Sequence, residues 1–216
     1  MSTLIRIIIT SMLGLLMLSC NFSMNLTEVI DGNRNVVNAD RNISSDFDEI
    51  KVSQGLDLYI TQSNDISVSI EADENLHELI LTEVENNVLK IYTTENIRRA
   101  SSKKIMLTIT DISAIKATSG SDVYSTNTIK VDDLELNTTS GADMKIDVKT
   151  QNLNCHSTSG SDIKITGATD VLVASATSGS NIDARNLSAE KSDVKATSGA
   201  DISVNTSKEL TARATS

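Results

Sequence analysis

Four aspartates each stand two residues behind a glycine. In "TSGSDVYS", "TSGADMKI", "TSGSDIKI" and "TSGADISV" they are Asp122, Asp143, Asp162 and Asp201, and Asn181 takes the same place in "TSGSNIDA". Carboxylates repeated along one column are hard-oxygen donors, and the chemistry they offer is a calcium-binding edge. The competing use of an Asx side chain at a turn is to accept backbone N–H groups of that turn. This local use is the one expected here. Asp122, Asp143, Asp162 and Asp201 stay the only metal candidates, and no cofactor is called for. A second chemistry is polysaccharide cleavage, which needs a base beside an acidic sugar and cations to hold its carboxylate. Lys145, Lys164 and Arg185 lie at outward positions, without a clustered Arg–Lys pair, and Tyr59, Tyr92 and Tyr124 are too few for a sugar platform. His77 and His156 belong to no motif, and each is expected to be exposed and structurally unimportant. Cys155 falls in an inward column, as a small buried hydrophobe. No catalytic residue is assigned, and the chain is not expected to be an enzyme.

The elements that must position these residues follow from the same alignment. Gly120, Gly141, Gly160, Gly179 and Gly199 are separated by 21, 19, 19 and 20 residues. Five before each glycine stand Ile115, Leu136, Cys155, Ala174 and Val194; three after stand Val123, Met144, Ile163, Ile182 and Ile202. Two inward-facing strands are thus joined by a tight turn, with Thr and Ser columns able to form hydroxyl ladders at the corner. A strand-only period near twenty residues, with the same residue type at every turn, requires the same surroundings at every turn. Stacking coils at about 4.8 Å per rung supplies them and buries each apolar face against its neighbour. An antiparallel meander or sandwich would not need identical turns. The fold class is therefore all-β, a parallel β-solenoid. Further strands are expected earlier, in "FDEIKV", "LDLYIT", "ISVSIEA", "VLKIYT" and "KIMLTIT", each alternating with period two. In "NLHELILTEVENN", Leu76, Leu79, Ile80 and Val84 could also line a short helix.

Composition agrees. Aromatics make up 2% of the 216 residues and Trp and Pro are absent, so Val, Ile, Leu and Ala must fill the core. The net charge of -10 leaves no basic stripe for nucleic acid. The first twenty residues differ: Arg6 precedes an apolar run from Ile7 to Leu18, too short for a comfortable membrane span, and the stretch reads as a signal peptide. Its end, Leu18-Ser19-Cys20, resembles a bacterial lipobox, in which the cysteine is lipidated and becomes the first mature residue; Met17 stands where Leu is usual. With Cys20 lipidated, Cys155 is the only thiol left and no disulfide framework exists. The expected organisation is a lipoprotein signal peptide over 1–20, a polar tether over 21–29 and a β-solenoid over 30–216, regular from 110 onward.

"DGNRNVVNADRNISSDFDEIKVSQGLDLYITQS", "ADENLHELILTEVENNVLKIYT" and the serial "TSGSD" turns together resemble the putative auto-transporter adhesin, head GIN domain family. The resemblance spans about residues 30–216, carried by Phe47, Ile50 and Val52 and by the S-G-[SA]-D turns. It implies a right-handed single-stranded parallel β-helix of pectin-lyase-like shape and a role in cell adhesion at the bacterial envelope, without an established enzymatic activity. The expected function is a non-catalytic, lipid-anchored envelope protein that adheres to a protein or glycan partner. The alternatives are a carbohydrate-active β-helix enzyme and a structural envelope spacer. Acidic and basic side chains converging in one groove would favour the enzyme; a flat face of Ser, Thr and Lys would favour binding or spacing. Asn21 behind Cys20 resembles the sorting signal for the outer membrane, facing the periplasm or the surface. Expected partners are the membrane, through the lipid, and a possible second copy. "TARATS" matches the start of a sixth repeat, placing Leu210, Ala212 and Ala214 on inward columns and leaving the last coil uncapped.

Overall fold

The computed structural model describes residues 29–216. The stretch expected to be a signal peptide, Cys20 and the expected tether up to residue 28 lie outside the described residues. The strands alternate in burial as the period-two pattern requires, and they stack as coils.

The first complete rung forms early. β1 (Val29–Asp31) and β2 (Val36–Arg41) are followed by β3 (Glu49–Val52) and β4 (Asp57–Gln62), which make up the two sides of that rung. The chain then departs through β5 (Ser67–Asp73), a single 3₁₀ turn (Glu74–Leu76), β6 (Ile80–Glu85), β7 (Val88–Thr93), β8 (Asn96–Arg99) and β9 (Lys103–Ile109). β7 stacks parallel on β3 and β9 parallel on β4, so they form a rung below the first. β6 closes one side by pairing antiparallel to β7; β5 and then β2 close the other, antiparallel to β9 and to each other. The ambiguous stretch from Asn75 to Asn87 thus resolves as one 3₁₀ turn and an edge strand. Period-two alternation does not tell a parallel strand from an antiparallel one, and so the sequence pattern did not reveal this cap.

The chain next crosses to the far side of the first rung, where Ser113 N–H donates to Asp48 O at 2.8 Å. It continues upward through β10 (Ala114–Thr118), β11 (Asp122–Ser125), β12 (Ile129–Lys130), β13 (Asp133–Thr139), β14 (Asp143–Thr158), β15 (Asp162–Thr177), β16 (Asn181–Thr197) and β17 (Asp201–Thr215). The last four are long because each bends at a corner, leaving one sheet and ending on the other. One sheet contains β7, β3, β10, β13 and the second halves of β14–β17; the opposite sheet contains β9, β4, β11 and the first halves. They are called the first and second sheet below. The core runs between them as in-register columns. Leu89, Ile50, Ile115, Leu136, Cys155, Ala174 and Val194 form one, all buried. Ala212 and Leu210 continue the inward columns, and Leu210 is 53% exposed on the outermost rung.

Each corner reverses the chain with two consecutive left-handed residues. The serines have φ near 57°, from 55° to 59°, and the following glycines lie at 68–71°. A side chain tolerates this region poorly, so the second place goes to glycine. Gln54 and Gly55 adopt the same pair of angles, which makes "VSQGLDLYI" the first member of the repeat. The ladder continues through the corner. Gly120 N–H donates to Ser140 O at 3.1 Å, Gly141 to Ser159 O at 3.2 Å and Gly160 to Ser178 O at 3.2 Å. In the other direction Asp143 N–H donates to Ser121 O at 3.0 Å and Asp162 N–H to Ala142 O at 3.2 Å.

Candidate functional site

The aspartate column is real and longer than the sequence alignment has it. Asp57, Asp122, Asp143, Asp162, Asn181 and Asp201 are direct neighbours from rung to rung at the edge of the second sheet. Their role inside their own turns is not as expected: none of these carboxylates accepts a hydrogen bond from its own turn. The local cap is the hydroxyl behind the glycine instead, Ser121 Oγ donating to Thr118 O at 2.9 Å and Ser161 Oγ to Thr158 O at 2.8 Å. Stacked like charges have a cost. Partial burial raises Asp57, Asp122 and Asp143 above the ordinary carboxylate value, and the neighbouring carboxylates raise Asp122 and Asp143 further. Among the described residues no group of three or more His, Cys, Asp or Glu side chains converges to hold a metal.

The adjacent outward column changes character along the axis. It runs Met106, Tyr59, Tyr124, Lys145, Lys164, Asp183. Tyr59 and Tyr124 stack with centroids 5.1 Å apart and planes 23° from parallel. Two of the chain's three tyrosines, 65 residues apart in sequence, thus meet because β11 lies directly on β4. Beyond them a shallow groove of about 300 Å³ is lined by Tyr124, Asp143, Lys145, Asp162, Lys164, Asn181 and Asp183. Arg185 forks onto Asp183 and holds its carboxyl at about 2, so this arginine is tied down rather than offered to a ligand.

The outer face of the first sheet is different. Its middle column is Lys90, Lys51, Lys116, Asn137, His156, Ser175, Lys195, Arg213. Beside it stand Thr118, Thr139, Thr158, Thr177, Thr197 and Thr215, in register. A groove of about 370 Å³ lies over Lys51, Lys116, Asn137, His156 and the first three of these threonines. Hydroxyl ladders exist, but mostly indoors: Thr138 donates to Ser157 at 3.0 Å and Thr150 to Thr169 at 2.9 Å, both buried. Most surface threonines turn instead to the serine of their own corner, as Thr139 does to Ser140 at 3.3 Å.

Cys155 is buried in its inward column, and burial pushes its thiol up, away from reactivity. His156 is exposed, as expected. His77 is not: it is only 9% exposed, packed in the cap, with Nε2 within 3.1 Å of Val37 O and 3.2 Å of Ala72 O. The cap, which alternation alone could not disclose, is what buries it. Asp73, fully buried, is the other key to the cap. It accepts N–H groups of Arg34 at 3.0 Å, Ser101 at 3.0 Å and Ser102 at 3.2 Å, tying three separate segments together. Among the described residues no helix is long and apolar enough to cross a membrane.

Comparison with known proteins matches this arrangement. The family model described as "Putative auto-transporter adhesin, head GIN domain" matches residues 46–216. No curated protein matches by sequence. A crystal structure of a "putative adhesin" from Bacteroides fragilis NCTC 9343 is similar at TM-score 0.76 and 20% identity, covering 86% of this chain and 99% of that one. A "putative lipid binding protein" from Parabacteroides distasonis ATCC 8503 is similar at TM-score 0.68 and 21% identity, over 88% of this chain and 100% of that one. A "putative adhesin" from Parabacteroides merdae ATCC 43184 follows at TM-score 0.64 and 16% identity, over 87% and 99%. At these identities the likeness is one of fold.

Proposed function

The chain belongs to the family described as "putative auto-transporter adhesin, head GIN domain", and from that premise we propose a non-catalytic protein of the cell envelope, anchored by lipid at Cys20, that adheres to a glycan or envelope-protein partner through the outer face of its first sheet. The supporting observation is the regular surface of that sheet: a threonine column beside Lys51, Lys116, Asn137 and His156, over an open groove of about 370 Å³. Hydroxyls, amides and lysine stems at rung spacing are suited to an extended partner laid along the axis, and a rigid sheet presents them with little ordering cost. The test is a screen of glycans and purified envelope proteins against the full chain. A ligand whose binding falls at least tenfold in the Asn137→Ala/His156→Ala pair supports the reading; ligands indifferent to that pair overturn it. Anchoring is tested separately. Cys20→Ala is expected to move the protein to the soluble fraction or leave an uncleaved precursor, and unchanged detergent partitioning would remove the lipid from the proposal.

A specific observation favours a second reading, a carbohydrate-active enzyme. Acidic and basic side chains do converge in one groove of the second sheet, where Asp143 and Asp162 lie beside Lys145 and Lys164. Turnover of an acidic polysaccharide by the wild type, abolished in Asp143→Asn, would establish catalysis over adhesion. In the adhesive reading no polysaccharide is consumed.

A further inference from the structure

The two outward columns of the second sheet carry opposite charges side by side. On successive rungs Asp143 is followed two residues later by Lys145, and Asp162 by Lys164. None of the four takes part in an ion pair among the described residues, although the other faces are crossed by pairs such as Lys116–Glu49, Lys208–Glu190 and Arg213–Asp193. One rung lower the same two columns carry Asp122 and Tyr124, and below these Asp57 and Tyr59.

We propose that this face docks a second copy of the same chain, side by side, with the two solenoid axes parallel. The pattern is complementary to itself under one operation. A two-fold axis running along the solenoid, midway between the columns, reverses the strand direction and keeps the rung. Each acid column then faces the partner's tyrosine–lysine column at the same level. Asp143 meets Lys145 of the partner copy, Asp162 meets Lys164, and the Tyr59 and Tyr124 hydroxyls meet Asp57 and Asp122. The other in-plane two-fold, perpendicular to the solenoid, lays acid column on acid column and is excluded by like-charge repulsion. Charge complementarity therefore selects both the partner and its orientation, and the contact is isologous.

The orientation has a consequence for geometry that the charges did not presuppose. Val29 begins β1, which pairs with β8 at the capped end. Parallel axes put both capped ends, and Val29 of both copies, on the same side. Two copies arranged in this way can stand on one membrane; this last point rests on the anchor reading above. Six rungs at about 4.8 Å make a strip near 29 Å long, and its two columns lie about 7 Å apart, so the strip covers far less than the roughly 800 Å² per partner of a standard interface. The contact is accordingly weak in dilute solution and is strengthened when both copies share a surface, because the second encounter becomes intramolecular in effect.

Zero-length carbodiimide coupling joins carboxylates to amines in contact, and it is applied to the full chain both in the membrane fraction of producing cells and in concentrated solution. The wild type is expected to give a covalent dimer coupled between Asp143 and Lys145 and between Asp162 and Lys164. An all-acidic face (Lys145→Glu/Lys164→Glu) and an all-basic face (Asp143→Lys/Asp162→Lys) should each lose the dimer at least fivefold alone. Mixed, they should restore it. A wild type that stays monomeric in both settings overturns the proposal, as do variants that dimerise alone or fail to dimerise when mixed. Circular dichroism identical to the wild type excludes misfolding of the variants, whose changes are all at exposed positions. Failure of the Cys20→Ala test removes only the membrane setting; the solution arm still decides the contact. A glycan that binds the wild type but neither variant, without any dimer, would hand this face to a sugar.

Discussion

Gly160 and Gly167 are seven residues apart and need glycine for different reasons. At Gly160 the φ of +68° is the whole constraint, since a Cβ would meet nothing within 4 Å. At Gly167, with φ of +108°, a Cβ would lie 1.9 Å from the Val148 carbonyl oxygen on the rung below. Gly160→Ala should therefore cost about 1 kcal/mol, and Gly167→Ala at least about 3 kcal/mol, the upper end of the ordinary range for point mutants. Urea midpoints of the two variants check this, and equal midpoints would refute the steric account. The aspartate column gives a prediction of opposite sign. Asp143 titrates above its ordinary value of 3.8 because of partial burial and the adjacent carboxylates. A raised value in the folded state means that the native chain holds the proton more tightly than the unfolded one. Stability contributed by the protonated form is complete below the ordinary value and is lost as pH rises through the raised one. Asp143→Asn, which keeps the neutral form at every pH, should be a few tenths of a kcal/mol more stable than wild type near neutrality after solvent screening. The advantage should vanish below about pH 4. Asn181 already occupies one position of the column in this way.

At the scale of elements, the inward columns decide what each rung tolerates. Ala174 is buried between Cys155 and Val194, whereas its neighbour Ser175 stands half-buried on the outer face between His156 and Lys195. Ala174→Asp puts an unpartnered charge into the core and should cost several kcal/mol, on the order of 3 or more. Ser175→Asp should stay within about 0.5 kcal/mol of wild type. Guanidinium melts of both are the measurement, and similar losses would place the column wrongly. These columns were legible before the structure because a stacked rung repeats its neighbour's environment, and a repeated environment leaves a repeated residue type. Two things were not legible. The first rung carries Ser-Gln where its successors carry Thr-Ser, which hid it; the surviving signal was the spacing Gly55-Leu56-Asp57-Leu58. The antiparallel cap was silent because alternation reports which residues face inward and nothing about strand direction. His77 was misplaced for the same reason: its burial comes from β5, five residues back at Ala72, and from β2 folding over it, contacts made 36 and 40 residues away in sequence at Arg41 and Val37.

The whole molecule is a cap and a stack, and the two obey different rules. In the cap, each segment has its own partner: Asp73 takes three N–H groups from two distant segments and Arg98 pairs with Asp31. In the stack, each corner from Gly55 to Gly179 gives its glycine N–H upward and receives an N–H from above by the same geometry. Asp143 and Asp162 are related by a step of 19 residues, and so are all the paired positions of β14 and β15. The number of coils is therefore a quantity that can change by whole units. Removing residues 143–161 joins Ala142 to Asp162, one full period on, and brings β13 against the second half of β15 with no free ladder bond at the new seam. The shortened chain should fold and unfold cooperatively and be shorter by about 4.8 Å along its axis; removing half as many residues should leave an unfolded chain. Small-angle scattering with thermal melts separates these outcomes. Such a molecule works as a ruler with fixed graduations: length along the axis is a heritable trait that recombination between near-identical turns can lengthen or shorten, one notch at a time, while the surface of each remaining notch stays in place.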